Sequence, residues 1–305
     1  MSKRLPTNVA ASVRQRLLNL SKEKNEDFTL TLVQYVAERF LYRLSKSSHA
    51  EHFILKGALL LATRVGRRYR PTRDIDFLEY GEASQGALAR AVEDIASIRV
   101  EDDGLLFDLK TLEVDEIREH QEYGGLRVSM NVMLERARIP LQIDVAYGDA
   151  VVPAAMDLEY PTLLGGATPR VRAYPIETVV AEKSEAIVKL GMANSRMKDY
   201  YDLWLIAATF TFDGQVLTRA FVATFERRRT GLPSNGPVGL TDEFAQAADN
   251  VKRWRGFLEA NGLDDAPKEL PRVVDAVGNL ILPPLRAAAA RSLFEQRWSP
   301  DTNWK

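Results

Sequence analysis

Hydrophobic and polar positions divide this chain into a helical opening, a strand-rich middle and a helical second half. The stretch 27–46 places Leu32, Val36 and Phe40 at the spacing of one helix face, and residues 7–24 show the same periodicity. Apolar residues three or four positions apart predict an amphipathic helix that packs one face on a core. We therefore expect two structural helices at the start of the chain.

The middle of the chain alternates apolar and polar residues, which is the pattern of half-buried strands. Four stretches show it: residues 74–80, 105–114, 126–134 and 139–148. Just upstream, residues 53–64 join a short apolar run to a series of helix formers across Gly57. We interpret this segment as a strand or helix, a turn at Gly57 and a helix.

Helical periodicity returns at about Pro175 and continues through most of the second half. It covers residues 176–191, 197–210, 241–262 and 271–282. Between the two patterns, PRVRAYP at residues 169–175 is the best candidate for a linker, and residues 231–239 have the Gly and Pro content of a loop. The chain has 305 residues, of which 46% are apolar, enough for two packed domains, which we predict at 1–172 and 173–305. The predicted fold class is α+β.

Composition excludes several classes of chemistry. The chain has no cysteine, so disulfides, thiolate catalysis and cysteine zinc sites are excluded. Its formal net charge of −1 means that any contact with nucleic acid depends on local basic patches. Neither the N-terminus nor any later segment has the uninterrupted apolar length of a signal peptide or a membrane span. We therefore expect a cytoplasmic protein with no membrane association.

Three aspartates are candidates for a metal site. Asp74 and Asp76 are separated by one residue, so in a strand both side chains leave the same face while their neighbours face the core. Asp144 has the same polar phase in the strand predicted over residues 139–148. Carboxylates on neighbouring strands would supply the hard oxygen ligands that Mg²⁺ prefers. An exposed strand edge or turn is the alternative for each aspartate.

Positive charge is concentrated just before the aspartate pair. The arginines in this stretch are Arg64, Arg67, Arg68, Arg70 and Arg73. They predict a positive border to the metal site, with an ordinary solvated helix face as the alternative for any one of them. Further upstream, Gly57 would let the backbone approach a phosphate group closely.

A lysine interrupts the apolar stripe of the helix predicted at residues 176–191. Ile176 and Leu190 lie one heptad before and after Lys183, so we expect its side chain to point inward. A buried ammonium group needs carboxylates or an anionic ligand, which makes Lys183 a candidate contact to a triphosphate. An interdomain ion pair, or a lysine that reaches solvent, is the alternative.

The charged neighbours of Lys183 fall into two groups. Glu182, Glu185 and Lys189 are expected on the opposite face of the same helix, with Lys189 in solvent. Downstream, three charged residues follow one another at i,i+3 spacing, and we expect them to order one another and Lys183, or to line a cleft. These residues are Arg196, Asp199 and Asp202.

Five motifs follow one another along the chain. They are KGALLL at residues 56–61, PTRDIDF at 71–77, LQIDV at 141–145, AEKSEAIV at 181–188 and RMKDYYDL at 196–203. Their joint order and spacing resemble the AbiEii family. Members of this family are DNA polymerase β-like nucleotidyltransferases and the toxins of AbiE-type toxin-antitoxin systems, and the group includes MenT-like toxins. The resemblance implies a polymerase β-like mixed sheet with flanking helices, plus a C-terminal helical domain that completes the active-site cleft.

The resemblance also assigns roles at the metal site. Asp74 and Asp76 would hold Mg²⁺, or Mn²⁺, and Asp144 would be the third metal-binding carboxylate. Gly57 would open the nucleotide-binding turn, although Ala58 follows it where the family often has a second Gly or a Ser.

For the NTP substrate, the resemblance implies that Lys183 contacts the triphosphate and that Asp199 positions this lysine. Thr72 would be the small hydroxyl residue that precedes the aspartate pair, and Arg73 and Arg196 would neutralise phosphate charge. The predicted catalytic residues are thus Asp74, Asp76, Asp144, Lys183 and Asp199.

The implied activity is transfer of a nucleoside monophosphate from an NTP to an RNA acceptor, with the tRNA 3′ end as the leading case, which would block translation and growth. A cognate AbiEi-like antitoxin is the implied protein partner. Residues 227–229 and 252–257 place positive charge beside aromatic residues, as an RNA surface requires, or they belong to ordinary solvated helices. Transfer to a protein or small-molecule hydroxyl, and a non-catalytic interaction module, are the alternative functions.

Overall fold

A computed structural model describes residues 8–65, 69–81, 83–117 and 125–305 of the chain. The chain divides into two compact units. The first consists of Met1–Arg64, Pro71–Gly148 and Met156–Ala173, and the second of Val65–Arg70, Asp149–Ala155 and Tyr174–Lys305. Two short segments from earlier in the sequence therefore join the second unit, while the division into domains 1–172 and 173–305 stays a prediction.

The first unit contains a seven-stranded sheet and the helices α1 to α4. The strands are β1 Phe53–Lys56, β2 Asp74–Glu79, β3 Leu105–Ile117, β4 Gly125–Leu134, β5 Ala137–Tyr147, β6 Met156–Glu159 and β7 Arg170–Ala173. The helices are α1 Val9–Glu23, α2 Phe28–Leu44, α3 Gly57–Arg64 and α4 Gln85–Ala96. The strand order is β3-β4-β5-β2-β1-β7-β6, with β2–β5 and β1–β7 parallel and the other pairs antiparallel. The predicted α+β class, a mixed sheet with flanking helices, is confirmed.

The two faces of this sheet have different chemistry. On β4 the buried residues Leu126, Val128 and Val132 alternate with partly exposed ones, and β5 alternates in the same way. Helix α2, in which most residues are buried, packs against β5. Burial of this apolar face, worth about 25 cal/mol per Å² of apolar surface, stabilises the first unit. The opposite face of the sheet is polar, and on β2 and β5 it carries the aspartates of the predicted metal site.

A buried ion network ties α2 to the chain that follows α4. Arg43 donates to Asp103 Oδ2 at 2.6 Å, and Arg39 donates to the same oxygen at 3.1 Å. All three side chains are buried. Burial alone would raise the pKa of Asp103, but its hydrogen bonds and ion pair with Arg43, together with Arg39, hold it below the ordinary value. Since loss of Asp103 would take the shared carboxylate from two buried arginines, the network fixes the position of α2.

The second unit contains the helices α5 to α10 and a three-stranded sheet. The helices are α5 Ile176–Leu190, α6 Met197–Ala207, α7 Gly214–Arg227, α8 Asp242–Gln246, α9 Ala248–Asn261 and α10 Leu270–Ala290. The strands are β8 Phe212–Asp213, β9 Arg297–Ser299 and β10 Asn303–Trp304, in the order β10-β9-β8. Helices α5 and α10 both pack on α7. The fully buried Trp254 donates its indole N–H to the carbonyl of Pro267 at 3.0 Å.

The segment predicted as a linker, PRVRAYP, is a strand of the first unit. Its residues 170–173 form β7, which pairs with β1 in parallel. Val171 and Ala173 are buried, whereas Arg172 forms an ion pair with Asp157 on β6 at 2.8 Å. The linker interpretation was therefore wrong, because the two arginines concealed the alternation of a short strand.

The second half of the chain is less uniformly helical than its periodicity predicts. The helix predicted over residues 241–262 is interrupted at Ala247, whose ψ of 126° is extended, and becomes α8 and α9. Helices α4 and α7 and the small β8–β10 sheet were not predicted from the sequence. Residues 231–239 lie outside the helices α5 to α10, as predicted, with a single 3₁₀ turn beginning at Val238.

Helix α10 differs from the expectation about membrane spans. It is the one helix in the described parts of the chain that is long and apolar enough to cross a membrane, although Arg272 and Asp275 interrupt its apolar residues. Its most apolar 18-residue window is 56% buried within the protein, and Leu270 and Val277 are fully buried. A core helix passes the same test, so α10 is weak evidence for a membrane span.

Candidate active site

The three predicted aspartates come together on the polar face of the seven-stranded sheet. Strands β2 and β5 run parallel, and Asp76 is the register partner of Asp144. Asp74 lies two residues before Asp76 and therefore on the same face. Carboxylate oxygens from the three residues lie within 4.8 Å of one another, and each residue is partly buried. The structure thus assembles the side chains that the sequence predicted as a metal site.

Charged residues extend this cluster into a row across five strands. Lys56 on β1 pairs with Asp76, and Arg127 on β4 pairs with Asp144. At the edge of the sheet, Asp115 on β3 pairs with Arg127. Register partners carry their side chains on the same face, about 5 Å apart at Cβ. The two central carboxylates are therefore flanked by one cation on each side.

Arg127 holds Asp144 with two nitrogens of its guanidinium group. Its Nε donates to Oδ1 at 2.8 Å, and its Nη2 donates to Oδ2 at 2.7 Å. This bidentate geometry is the strong form of a charge-assisted hydrogen bond. The Arg127 side chain is 39% exposed and that of Asp144 is 17% exposed. Arg127 was not predicted from the sequence, because its role depends on the register of β4 against β5.

The position of Asp76 requires a glycine at residue 57. Gly57 follows β1 directly, begins α3 and has a φ of +68°, a left-handed conformation that residues with side chains rarely adopt. A Cβ at this position would lie 1.9 Å from Asp76 Oδ2 and 2.8 Å from Asp76 Cβ. Gly57 therefore gives the carboxylate room at the start of α3. Its role in the nucleotide-binding turn stays a prediction.

The residues just before Asp74 orient its carboxylate. The backbone N–H of Arg73 donates to Asp74 Oδ1 at 3.2 Å, and the Thr72 hydroxyl lies 3.5 Å from the same oxygen. A separation of 3.5 Å is at the outer limit of a hydrogen bond, so the backbone N–H of Arg73 makes the stronger hydrogen bond to Asp74. The side chain of Arg73 is exposed. The predicted phosphate contacts of Thr72 and Arg73 stay predictions.

The arginines that precede the aspartates are divided between the two units. Arg64 and Arg73 belong to the first unit and Arg70 to the second. Arg67 and Arg68 lie outside the described residues. The structure therefore describes the predicted positive border only in part.

Lys183 is largely buried, as predicted, and binds two buried carboxylates. Its Nζ lies 2.8 Å from Asp199 Oδ1 and 2.8 Å from Asp202 Oδ2, and its side chain is 12% exposed. Arg196 donates to Asp199 Oδ2 at 2.6 Å, and Arg70 donates to both oxygens of Asp202 at 2.9 Å. We call these five residues the lysine cluster. With three cations and two carboxylates, it carries one excess positive charge.

Ion pairing outweighs burial in the lysine cluster. Burial alone would lower the pKa of the Lys183 ammonium, but Asp199 and Asp202 raise it above its ordinary value. Burial would likewise raise the pKa of both aspartates, and Lys183 lowers both, with Arg196 acting on Asp199 and Arg70 on Asp202. Each group is therefore charged at neutral pH.

A second charged cluster occupies the face of α5 opposite Lys183, on which Glu182 and Glu185 were predicted to lie. Arg228 lies 3.1 Å from Glu185 and 3.2 Å from both Glu182 and Asp149. Glu185 is only 3% exposed, so the face of α5 opposite the apolar stripe is also buried at this position. Helix α7 covers this side of α5, which the periodicity of α5 does not reveal. Lys189 is exposed, as predicted.

The two basic segments expose cations, whereas the aromatic side chains beside them are buried, apart from the partly buried Phe257. Trp254 within residues 252–257 is fully buried, and Phe225 just before residues 227–229 is 1% exposed. Helix α9 nevertheless presents a group of exposed cations, Lys252, Arg253 and Arg255. Such a surface suits contacts to phosphate groups rather than stacking of bases on these two aromatic rings.

The donor set of the aspartate cluster fits a divalent metal. Three carboxylate oxygens are the hard ligands that Mg²⁺ and Mn²⁺ accept, and phosphate oxygens and water would complete the coordination. Three like charges within 4.8 Å repel one another unless a cation lies between them. Asp74, Asp76 and Asp144 are thus the residues that would hold the ion.

This chain is similar to a known protein family and to solved structures. The family described as "Nucleotidyl transferase AbiEii toxin, Type IV TA system" matches residues 39–290. Two solved structures from Helicobacter pylori are also similar. JHP933 has 12% sequence identity and a TM-score of 0.46, and the match covers 86% of this chain and 92% of that protein. A candidate nucleotidyltransferase has 15% sequence identity and a TM-score of 0.47, and the match covers 85% of this chain and 94% of that protein. A comparison with curated protein sequences finds no match.

The family match spans most of the chain and includes both the aspartate cluster and the lysine cluster. The activity of the family is nucleotidyl transfer, and its members are toxins of type IV toxin-antitoxin systems. An antitoxin partner and a nucleotide substrate follow from this membership. The chain therefore belongs to the AbiEii family of nucleotidyltransferase toxins.

Proposed function

We propose that this protein transfers a nucleoside monophosphate from an NTP to a hydroxyl group of RNA, at the tRNA 3′ end, in an Mg²⁺-dependent reaction. The observation that carries the proposal is the assembly of Asp74, Asp76 and Asp144 on one polar face. Phosphoryl chemistry depends on positioning and on neutralising the charge of the phosphate oxygens. A modified tRNA 3′ end would block translation, which accords with a toxin.

Asp74 and Asp76 are the proposed ligands of the ion that accompanies the triphosphate. A bound divalent ion neutralises phosphate charge and activates the attacking hydroxyl. The acceptor oxygen forms a bond to the α-phosphorus, the bond from that phosphorus to the bridging oxygen breaks, and pyrophosphate leaves. The hydroxyl proton passes to water or, where Asp144 acts as the base rather than as a metal ligand, to its carboxylate. Most of the acceleration would come from alignment of donor and acceptor and from charge neutralisation.

Asp144 is proposed as the third ligand. Arg127 uses one hydrogen-bonding position on each of its carboxylate oxygens, and a carboxylate offers about two such positions per oxygen. One of the oxygens is also within 4.8 Å of oxygens from Asp74 and Asp76. These remaining positions are available to an ion, which supports the ligand role.

Lys183 is the proposed contact to the triphosphate, with Asp199 as the residue that positions it. Two of its three N–H donors are directed to Asp199 and Asp202, so the third can donate to a phosphate oxygen. The excess positive charge that Arg70 and Arg196 give the lysine cluster favours an anionic ligand.

RNA is proposed as the acceptor because the resemblance of the chain implies it and because α9 exposes a group of cations that suits contacts to phosphate groups. Recognition through phosphate groups reads the shape of a folded RNA more than its sequence. An AbiEi-like protein is proposed as the antitoxin. Both assignments go beyond the family membership itself.

The decisive experiment incubates the purified protein with total bacterial RNA, Mg²⁺ and each α-labelled NTP in turn. We expect label in a tRNA-sized band with the wild type and at least about a hundredfold less with Asp76→Ala, since one charge-stabilising group removed from such a site costs about that much. Asp157→Ala is the matched control. This aspartate lies on β6 of the same sheet and is 82% exposed, so its loss should leave transfer unchanged.

Each outcome has a definite meaning. Full activity of Asp76→Ala would overturn the metal mechanism. Label on a protein or a small alcohol, with none on RNA, would replace the proposed acceptor. Metal binding without turnover of any NTP on any acceptor would leave a non-catalytic interaction module as the function.

A further inference from the structure

The carboxylate of Asp144 has two candidate cationic partners. One is the guanidinium group of Arg127, which donates to both of its oxygens at 2.8 and 2.7 Å. The other is a divalent ion, because an oxygen of Asp144 lies within 4.8 Å of oxygens from Asp74 and Asp76. A dication at this place would lie close to a guanidinium held by the same carboxylate, and like charges at such a separation repel.

We propose that Arg127 is a positioning residue that competes with the divalent metal for Asp144, and that its displaced guanidinium then binds a phosphate oxygen of the NTP. Arg127 would thus exchange a carboxylate for a phosphate group when metal and nucleotide bind. The proposal rests on the metal-dependent transfer proposed above, and it adds a residue that the aspartate motif does not contain.

The surroundings of Arg127 allow this exchange. Its side chain is 39% exposed, so it can change rotamer without opening the core. Its other register partner, Asp115, is exposed at the edge of the sheet and offers the guanidinium a second carboxylate. Arg127 can therefore leave Asp144 and still have the carboxylate of Asp115 as a neighbour.

The chemistry of the guanidinium group explains why a phosphate is the second partner. Its planar, forked donors match two oxygens of a phosphate as well as two oxygens of a carboxylate. A triphosphate brings several negative oxygens to the face on which Arg127 lies. A lysine at the same position would supply charge without the fork.

This arrangement predicts opposite effects of one substitution on two ligands. In Arg127→Ala, Asp144 loses its competing cation, so the metal should bind more tightly. The same variant lacks the phosphate-binding fork, so the nucleotide should bind more weakly. A merely structural role for Arg127 would instead weaken both ligands together as the strand loosens.

The experiment measures Mn²⁺ binding by electron paramagnetic resonance on the full chain, without nucleotide, and then the affinity for non-hydrolysable NTP analogues at saturating Mn²⁺. For Arg127→Ala we expect the Mn²⁺ dissociation constant to fall about tenfold and that of the analogue to rise about tenfold, the factors that one charge-assisted hydrogen bond supports. Arg127→Lys should give intermediate metal affinity and leave nucleotide binding weak.

Arg138→Ala is the matched control. Arg138 is an exposed arginine on β5, six residues before Asp144 and on the same face, which places it about 20 Å away. The control removes the same charge from the same strand and should change neither affinity. Thermal unfolding of every variant shows whether β4 remains folded, and Arg127→Lys carries the comparison if Arg127→Ala does not fold.

The outcomes separate this proposal from the proposed function. Unchanged Mn²⁺ affinity in Arg127→Ala, together with loss of Mn²⁺ binding in Asp76→Asn, would overturn the competition and leave the metal mechanism intact. A parallel loss of both ligands would make Arg127 a structural residue. Absence of Mn²⁺ binding in the wild type would overturn both proposals.

Discussion

Replacement of Gly57 by alanine should weaken the metal site while leaving the protein folded. The new Cβ would lie 1.9 Å from Asp76 Oδ2, 2.6 Å from its Cγ and 2.8 Å from its Cβ. The last of these atoms is fixed to the backbone of β2, so rotation of the carboxylate cannot relieve the overlap. Either Asp76 withdraws from Asp74 and Asp144, or the start of α3 moves away.

Two free-energy costs add in this variant. An alanine at a φ of +68° costs about 1 to 2 kcal/mol of unfolding free energy relative to glycine. The overlap with Asp76 costs about 1 to 3 kcal/mol more, as for other overpacked sites. The sum, about 2 to 5 kcal/mol, is smaller than the stability of most domains. Displacement of a ligand should lower the affinity for Mn²⁺ by about tenfold or more.

The Gly165→Ala variant separates the two costs. Gly165 also belongs to the first unit and has a φ of +77°, but nothing lies within 4 Å of its added Cβ. Urea denaturation should therefore show a loss of about 1 to 2 kcal/mol in this variant, and Mn²⁺ binding should equal that of the wild type. Wild-type Mn²⁺ affinity in Gly57→Ala would refute the argument that Gly57 exists to accommodate Asp76.

Two further predictions concern the buried charges of the second unit. Asp202→Asn should lower the unfolding free energy at pH 7 by about 3 kcal/mol, because Lys183 and Arg70 lose a buried partner. Since the folded pKa of Asp202 is depressed, its stabilisation is fully present above the unfolded value of about 3.9 and is lost as pH falls from there toward the folded pKa. Urea denaturation between about pH 5 and 2 should therefore show a steeper decline for the wild type than for the variant. Arg228→Ala should lower the unfolding free energy by about 3 to 5 kcal/mol, since Glu185 and its acidic neighbours would be left buried without a cation. A loss of unfolding free energy below about 1 kcal/mol in urea denaturation would contradict this reasoning.

The aspartate cluster could be predicted from the sequence because most steps toward it are local. A period of two places Asp74 and Asp76 on one face of a strand, and the alternation around Asp144 gives it the polar phase. That these two strands are neighbours is not local information, because β2 and β5 are separated by two strands and a helix. The resemblance to a family supplied that step.

Arg127 was missed although a signal for it exists. Strands β4 and β5 form a hairpin in which Leu134 pairs with Ala137 across a two-residue loop. Counting outward from that pair brings Arg127 opposite Asp144. The loop residues are Glu135 and Arg136, which lack the Asn-Gly signature of tight hairpin turns. Without a fixed loop length the register stays open, and with it the partner of Asp144.

The inward position of Lys183 was predictable, and the burial of Glu185 was not, for the same physical reason. Periodicity identifies the most apolar stripe of a helix, and Lys183 lies within it. It does not reveal how many sides of the helix are covered. Nine residues of α5 are buried, Glu185 among them, and its partner Arg228 lies more than forty positions later in the chain. Such pairing depends on tertiary contacts that no local pattern encodes.

The metal site owes its geometry to the apolar residues between its ligands. Mutual repulsion of Asp74, Asp76 and Asp144 opposes their assembly, and Arg127 offsets only part of it. On β2, the aspartates alternate with Ile75 and a fully buried Phe77, and a shift of one residue in register would expose those side chains and bury the carboxylates. Burial of two large apolar side chains favours the observed register by about 3 to 6 kcal/mol. The aspartates are therefore held together by the core beneath them, and a cation at the site would relieve the repulsion that remains.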